Sequence, residues 1–262
     1  MASSPVDHLP AHPSPTLLLV AHGSRDPRHA ETVRALAARV RELRPWTRVE
    51  VSFLDFNTPS VSEQLNHLAA EGARDVVALP LLLTRAFHAK ADLPAVLHAA
   101  SVRHPRLRIT QAEVLGPSPL LLAAVERRLY ETGLRPGDKS STGVVLASAG
   151  STDPEAIAVI AEIARELRHT GWCAVRPAFA SAALPRTQDA VRALRTDPSV
   201  TRVAVAPYVL APGFLPDRIV RGAGEAGAEV VADVLGSCPE LAELTVARYE
   251  EVGRTALVGA AA

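Results

Sequence analysis

The sequence has little cysteine, few aromatic residues and no net charge, and each shortage excludes a class of protein. Its two cysteines, Cys173 and Cys238, form no CxxC pair and cannot build a disulfide framework. The 28 Lys and Arg residues balance 28 Asp and Glu residues, so the basic excess typical of nucleic-acid-binding domains is missing. Aromatic residues make up 4% and hydrophobic residues 48%, so Ala, Val and Leu must form the core of a folded protein.

Long apolar runs and targeting signals are also missing. The run Leu-Leu-Leu-Val at 17–20 has the length of a strand, far short of the ~20 apolar residues that a membrane span needs. The first fifteen residues are rich in Pro and Ser, without the basic and apolar regions of a signal peptide. We therefore expect a cytoplasmic protein that does not associate with membranes, with a flexible N-terminal tail over 1–14.

Short apolar runs alternate with helical periodicity along the chain, which is typical of βαβ units and parallel sheets. The pattern predicts strands over Thr16–Ala21, Val49–Leu54, Val76–Leu83 and Leu107–Ala112. It predicts helices over Arg28–Arg44, Val61–Glu71, Leu93–His104 and Pro119–Thr132.

The second half of the sequence repeats the first. Three anchors recur in the same order, pairing His22–Pro27 with Ala149–Pro154, Val76–Pro80 with Val203–Pro207, and Val114–Gly116 with Val234–Gly236. The offset is 127 residues at the first two anchors and 120 at the third, which we attribute to a shorter third helix in the second half. The chain is thus predicted to be an α/β protein of two tandem duplicated domains, each a small parallel sheet flanked by helices. These domains span 15–134 and 143–262, with a linker rich in Pro, Gly and Ser over 135–142.

The repeat separates structural residues from candidate functional ones, because both halves must keep what the fold requires. Gly23 recurs as Gly150, and an Asp-Pro pair follows each, as expected of a tight turn and a helix start. Two histidines do not recur, since Ala149 stands at the place of His22 and Leu215 at the place of His88.

The unmatched histidines lie where a parallel sheet binds ligands, beyond the carboxyl ends of its strands. His22 follows the first strand and His88 follows the third, so the imidazoles converge if these strands are neighbours. Asp55 follows the second strand, and its counterpart is Ser181 or Ala182. Two imidazoles and a carboxylate suit a divalent first-row metal, and could equally act as general bases. The remaining histidines near helices are interpreted as surface residues, namely His29, His67, His98, His104 and His169.

Two segments of the sequence resemble a known family. Ala21-His22-Gly23-Ser24-Arg25-Asp26-Pro27 and the later Phe87-His88-Ala89-Lys90-Ala91-Asp92-Leu93-Pro94 are similar to motifs of the class II chelatases. More narrowly, they resemble those of two-domain sirohydrochlorin chelatases. The resemblance implies that His22 and His88 bind the metal in a cleft that holds the tetrapyrrole. The family commonly has Glu where this chain has Asp55, which the resemblance marks as a catalytic proton acceptor or metal ligand beside the two histidines.

The implied reaction is insertion of a divalent metal into sirohydrochlorin. The metal is a substrate, with Fe²⁺ for sirohaem favoured over Co²⁺ for cobalamin, and no tightly bound cofactor is implied. Because sirohydrochlorin carries eight carboxylates, cations and hydrogen-bond donors near the histidines are candidates for binding it. These substrate-binding candidates are Ser24, Arg25, Thr84, Arg85 and Lys90. The match of Ser24 with Ser151 favours a structural role for Ser24. A monomer is plausible, because two halves of one chain can complete the cleft.

Two other functions remain open at the level of sequence. A histidine phosphatase also has a His after its first strand, but that chemistry usually requires Arg immediately before His-Gly, where this chain has Ala21. A non-catalytic carrier of metal or tetrapyrrole would have the same site residues as a chelatase.

Overall fold

The computed structural model describes residues 14–84 and 92–260, without the side chains of 255–260. Its strands, β1 to β8, run over Thr16–Ala21, Val49–Phe53, Asp75–Pro80, Arg108–Gln111, Thr142–Ser148, Ala174–Phe179, Arg202–Tyr208 and Val230–Val231. They form two parallel sheets with the orders β2-β1-β3-β4 and β6-β5-β7-β8. The two sheets have the same topology, so the predicted α/β duplication is confirmed.

Several helices begin at residues whose side chains cap them. They are α1 to α8 over Pro27–Leu43, Val61–Ala70, Leu93–Arg103, Pro119–Glu131, Pro154–His169, Thr187–Arg195, Phe214–Glu225 and Pro239–Ala260. The Asp26 carboxylate accepts the Arg28 N–H at the start of α1, and Asp153 accepts the Glu155 N–H at the start of α5. No helix among the described residues is long and apolar enough to cross a bilayer.

The observed element bounds agree with the predicted ones to within a few residues, with two informative differences. The third strand ends at Pro80 and not at Leu83, so Leu81–Leu83 continue beyond the sheet. The predicted linker contains a 3₁₀ helix over Pro136–Ser141, which leads directly into β5. The tandem sheets are therefore joined by an ordered connection.

The prediction of a shorter third helix in the second half is wrong. Helix α3 has 11 residues and its counterpart α7 has 12. The difference lies in the preceding connection, which spans 81–92 between β3 and α3 but only 209–213 between β7 and α7. The seven additional residues of the first half therefore belong to the segment that contains His88. Leu215, the predicted counterpart of His88, lies in the first turn of α7.

A single hydrophobic core joins the two halves. Leu17 and Leu19 of β1 share one buried cluster with Val144 and Leu146 of β5, to which α1, α4, α5 and α8 also contribute. The alternate residue Leu18 faces a separate cluster formed with α2 and α3, and α6 and α7 cover the outer face of the second sheet. The two sheets thus lie on either side of a shared layer of helices, and separating the halves would expose that layer to water.

Helices α4 and α8, which end the two halves, each pack against elements of the other half. Helix α4 contacts β7 and α5, and α8 contacts α1, α4 and β3. In one such contact, the Arg248 guanidinium of α8 donates hydrogen bonds to the carbonyls of Val114 and Leu115. The Tyr249 hydroxyl donates to the Pro15 carbonyl at 2.7 Å. These contacts fix the orientation of one sheet relative to the other.

A polar cluster around Glu126 of α4 reinforces this junction. One carboxylate oxygen, Oε1, accepts hydrogen bonds from Lys139 Nζ at 2.5 Å, Thr170 Oγ1 at 2.6 Å and Trp172 Nε1 at 3.0 Å. Burial alone would raise the pKa of the Glu126 carboxyl, but these three hydrogen bonds outweigh it and lower the pKa below its usual value. The carboxylate therefore stays charged at neutral pH and links α4 to the second half.

Candidate active site between the two halves

The turn after β1 positions His22. Strand β1 lies between β2 and β3, so the carboxyl ends of these strands are neighbours, as the sequence argument required. Gly23 has φ of +95°, and a Cβ on it would lie 1.8 Å from the Asp55 carbonyl oxygen. The Asp55 N–H donates to the His22 carbonyl at 2.9 Å, and the Ser24 N–H donates to Asn57 Oδ1 at 2.8 Å. Only glycine fits a turn packed this closely against the loop after β2.

The turn after β5 has the same backbone. Gly150 has φ of +97°, and a Cβ there would lie 2.0 Å from the Ser181 carbonyl oxygen. The Ser181 N–H donates to the Ala149 carbonyl at 3.0 Å. Because Asp55 makes the same bond to His22, its structural counterpart is Ser181 and not Ala182. The predicted structural role of the two glycines is confirmed, and the carboxylate is absent from the second half.

A cleft of about 390 Å³ opens between the halves, beyond the carboxyl ends of the central strands. The first half lines it with Leu81–Leu83 and with the polar residues His22, Ser24, His29 and Thr84. The facing wall from the second half is mainly apolar and includes Ile157, Ile160, Phe179, Leu210 and Phe214. The cleft therefore has two imidazoles on one wall and a hydrophobic surface on the other.

His29 is a cleft residue that the sequence interpretation placed wrongly on the surface. It is half-buried beside His22, and its Nδ1 is buried without a hydrogen-bond partner among the described residues. Burial and the nearby charge of His22 lower the pKa of the His29 imidazole. Comparison of the two halves could have identified His29 as a candidate site residue. At the offset of 127 it corresponds to Ala156, so this histidine occurs in the first half alone.

Asp55 lies beside the His22 turn, but its side chain is exposed and is not part of the cleft lining. Its Oδ1 accepts the N–H of Phe56 at 2.8 Å. The Phe56 ring meets the His22 ring edge-on, with centroids 6.2 Å apart, and the Arg25 guanidinium lies 5.1 Å from the Phe56 centroid. Phe56 thus stands between Arg25 and His22, at the rim of the site.

The remaining predicted site residues divide into two groups. Ser24 and Thr84 both line the cleft, and Ser24 Oγ also accepts the Asp26 N–H at 3.1 Å. Ser151 makes the same bond to Asp153 in the second half. The other predicted residues lie outside the described residues, namely Arg85, His88 and Lys90. Within residues 14–84 and 92–260, no three His, Cys, Asp or Glu side chains form a group that could hold a metal ion.

Tyr208 is a second cleft residue that the sequence did not single out. It ends β7, is 2% exposed, and its hydroxyl has no hydrogen-bond partner among the described residues. Burial raises the pKa of this phenol, so it stays protonated at neutral pH. At the offset of 127, Tyr208 corresponds to Leu81 of the first half. The second half therefore has a buried phenol at a position where the first half has an aliphatic side chain.

Comparison with known proteins agrees with this architecture. A sirohydrochlorin ferrochelatase from Priestia megaterium is 30% identical over 205 residues, which cover 78% of this chain and 76% of the relative. A sirohydrochlorin cobaltochelatase from the same organism is 29% identical over 211 residues, covering 79% of this chain and 68% of the relative. The solved structure of SirB from Bacillus subtilis with Fe³⁺ matches with a TM-score of 0.80 at 26% identity, over 91% of this chain and 95% of that one.

The family model of CbiX matches the chain twice, over residues 16–132 and 143–252. Each match covers one sheet with its helices, and together they span most of the sequence. The chain therefore belongs to the CbiX family.

Proposed function

We propose that this chain is a sirohydrochlorin chelatase that inserts a divalent metal, with Fe²⁺ preferred, into the tetrapyrrole. The observation that carries the proposal is the cleft itself, in which His22 on one wall faces an apolar wall of the second half. Tetrapyrroles are flat and apolar across their faces and anionic around their edges. An apolar wall can pack against one face while the opposite wall delivers the metal.

Metal delivery is assigned to His22 and His88. Neutral imidazole binds first-row divalent metals, and a site with few protein ligands leaves positions open for ring nitrogens. His22 follows β1, and His88 belongs to the segment after the neighbouring strand β3. The apolar surroundings of the cleft favour transfer, because they remove water from the metal as the ring nitrogens replace it.

Insertion also releases two protons from the pyrrole nitrogens. An imidazole that is not bound to metal can accept one, as can a carboxylate at the rim. Asp55 is proposed for the second role, since its backbone is hydrogen-bonded to His22 and its side chain is exposed to solvent. From that position it can pass a proton from the site to water.

The carboxylates of the substrate require donors around the cleft. Ser24 and Thr84 lie on its lining, and Arg25 stands at the rim above Phe56. Arg85 and Lys90 flank His88 in the sequence and are proposed as further cations. The proposal also places the protein in the cytoplasm. A monomer is sufficient for activity, because one chain supplies both walls of the cleft.

Insertion of Co²⁺ is the second candidate. The relatives described above are named a ferrochelatase and a cobaltochelatase at nearly equal identity. Imidazole ligands accept both metals, and the usual affinity order places Co²⁺ above Fe²⁺. Supply of metal in the cell then decides which product forms.

The test is anaerobic incubation of metal-free sirohydrochlorin with the protein and either Fe²⁺, Co²⁺ or Ni²⁺, followed by absorbance. We expect catalysed spectral conversion with Fe²⁺ and Co²⁺ at protein concentrations far below that of substrate. A carrier would bind without multiple turnovers, and a phosphatase would instead hydrolyse an aryl phosphate. Either of those results would contradict the proposal.

A further inference from the structure

A second pocket lies in the second half of the chain, at the N-terminus of α6. Its volume is about 230 Å³, and its lining includes Arg186, Thr187, Gln188, Arg218 and Arg221. One carboxylate, that of the exposed Glu225, also belongs to the lining. Three guanidinium groups against one carboxylate give the pocket a positive charge, although the whole chain is neutral.

Two polar groups buried at this pocket lack partners. Thr187 is 2% exposed, and its Oγ1 has no hydrogen-bond partner among the described residues. Nη1 of Arg186, the residue that precedes α6, is also buried and has no hydrogen-bond partner among the described residues. An unpaired buried guanidinium N–H is costly, and it is most strongly stabilised by a negatively charged acceptor.

The first half provides an internal control for this pocket. Helix α2 is the counterpart of α6, and its N-terminus is closed by its own side chains: Ser60 Oγ accepts the Glu63 N–H, and Glu63 Oε2 accepts the Ser60 N–H. At α6, Arg186 occupies the cap position, and no side chain caps the helix. Asp189, three residues after the cap, pairs with Arg192 instead.

The helix N-terminus adds to the attraction for an anion. Its first N–H groups and the helix dipole both favour negative charge, and no acid of α6 neutralises them by capping. Gly222 of α7 lies close to the first turn of α6, since a Cβ on it would be 2.8 Å from Gln188 Oε1 and 3.4 Å from Thr187 Cβ. The pocket therefore combines donors from two helices around one small space.

We propose that this pocket binds a small oxyanion group, a carboxylate or a phosphate, held by Arg186, Thr187 and Arg221. The pocket adjoins the cleft, because Phe179 lines both spaces and the first turn of α7 lines the cleft. The oxyanion can thus be a carboxylate arm of a tetrapyrrole in the cleft, or a free anion. Both sources present the same chemistry to the arginines.

Titration of the full chain with inorganic phosphate at constant ionic strength tests the site without any chelatase substrate. We expect a saturable rise in the thermal midpoint of the wild type, and binding about tenfold weaker in Arg186→Gln and Arg221→Gln. Arg221 is exposed, so its variant should fold normally. The control is Arg176→Gln, an exposed arginine on β6 outside the pocket, which should bind phosphate as the wild type does.

Absence of saturable stabilisation in the wild type would overturn the proposal, as would equal binding by Arg221→Gln and Arg176→Gln. The source of the anion is decided by the KM for sirohydrochlorin. If a substrate carboxylate occupies the pocket, Arg221→Gln raises this KM several-fold at unchanged kcat, and phosphate competes with the substrate. If the anion is free, the KM stays constant while phosphate binding is lost. Because the phosphate titration needs no metal insertion, it remains decisive even if the proposed function fails.

Discussion

The turn after β1 and the turn after β5 can be compared bond by bond. Both place a glycine with positive φ against a carbonyl of the next loop, and both start a helix with an Asp-Pro cap. They differ at the residue before the glycine, which is His22 in one and Ala149 in the other. The two turns thus share the backbone conformation and the helix cap, and they differ in the side chain that each presents to the cleft.

The divergence assigns different tasks to the two halves. The first half supplies imidazoles at 22 and 29 and a longer connection after its third strand. The second supplies a mainly apolar wall and the hydroxyl of Tyr208. Neither half forms the cleft alone, and the shared helical layer holds the two walls in a fixed relative position. The comparison therefore predicts that equivalent substitutions will affect stability alike and activity differently.

Loss of the histidines should have the largest effect. His22→Ala or His88→Ala should lower the rate of metal insertion at least about 1,000-fold, since the metal loses one of its two proposed protein ligands. The stability of His22→Ala should change by less than about 1 kcal/mol, because His22 lies at an open cleft. Ala149→Ser in the equivalent turn is the control and should keep activity near that of the wild type. Full activity in either histidine variant would contradict the assignment of the site.

The two turn glycines should behave alike in stability. Gly23→Ala and Gly150→Ala should each lower the free energy of unfolding by about 3 kcal/mol or more, because a Cβ meets a carbonyl oxygen at 1.8 or 2.0 Å. Gly72→Ala is the control, with positive φ but no atom within 4 Å of the added Cβ, and should lose only about 1 kcal/mol. Urea unfolding measures all three, and equal losses would refute the close packing of the turns.

The Glu126 cluster should make the junction between the halves sensitive to pH. Glu126→Gln should lower stability at pH 7 by about 1–2 kcal/mol, because three hydrogen bonds to a charged acceptor weaken. The folded pKa lies below the usual 4.5, so this contribution is present above that pH and is lost as the pH falls through the folded value. Urea unfolding of both proteins from pH 7 to pH 3 should show the difference shrinking.

The exposed Glu131 of the same helix, which pairs with Arg128, provides the control for this variant. Glu131→Gln should change stability by less than about 0.5 kcal/mol at any pH. A loss for Glu126→Gln that is constant over this pH range would show that charge at the cluster does not stabilise the junction.

The smallest effects are expected for the paired serines. Ser24→Ala and Ser151→Ala should each cost about 1 kcal/mol or less, because each removes one equivalent hydrogen bond to a helix-start N–H. Both serines line the cleft, and Ser24→Ala should raise the KM for sirohydrochlorin more than Ser151→Ala does, because Ser24 lies on the wall that carries His22. Steady-state kinetics on the two variants decides this, and an unchanged KM would leave Ser24 with a structural role alone.

Much of each half could be predicted from sequence because its signals are local. The apolar run Thr16–Ala21 is the observed strand β1, and the Asp-Pro pairs mark the starts of α1 and α5. The position of His22 followed from the rule that ligands bind at the carboxyl ends of parallel strands. The repeat added a comparison within one chain, which distinguished Gly23 from His22 without any other sequence.

What sequence reasoning missed depends on contacts between distant segments. Its place in the first turn of a helix predicts that His29 is a surface residue, yet this turn faces the wall formed by the second half. The packing of α8 against α1 is equally invisible in local periodicity. The change of offset from 127 to 120 gives the number of additional residues in the first half, but not where they lie between the two anchors. Sequence alone therefore could not distinguish a longer helix from a longer connection.

A duplicated fold with one metal site, in its first half, should bind a single divalent ion there. The most direct test is titration of the protein with Co²⁺ in the absence of tetrapyrrole, following the visible absorption of the bound ion. We expect one Co²⁺ per chain in the wild type and none at this site in His22→Ala. Two equivalent ions per chain, or one ion retained in His22→Ala, would contradict it.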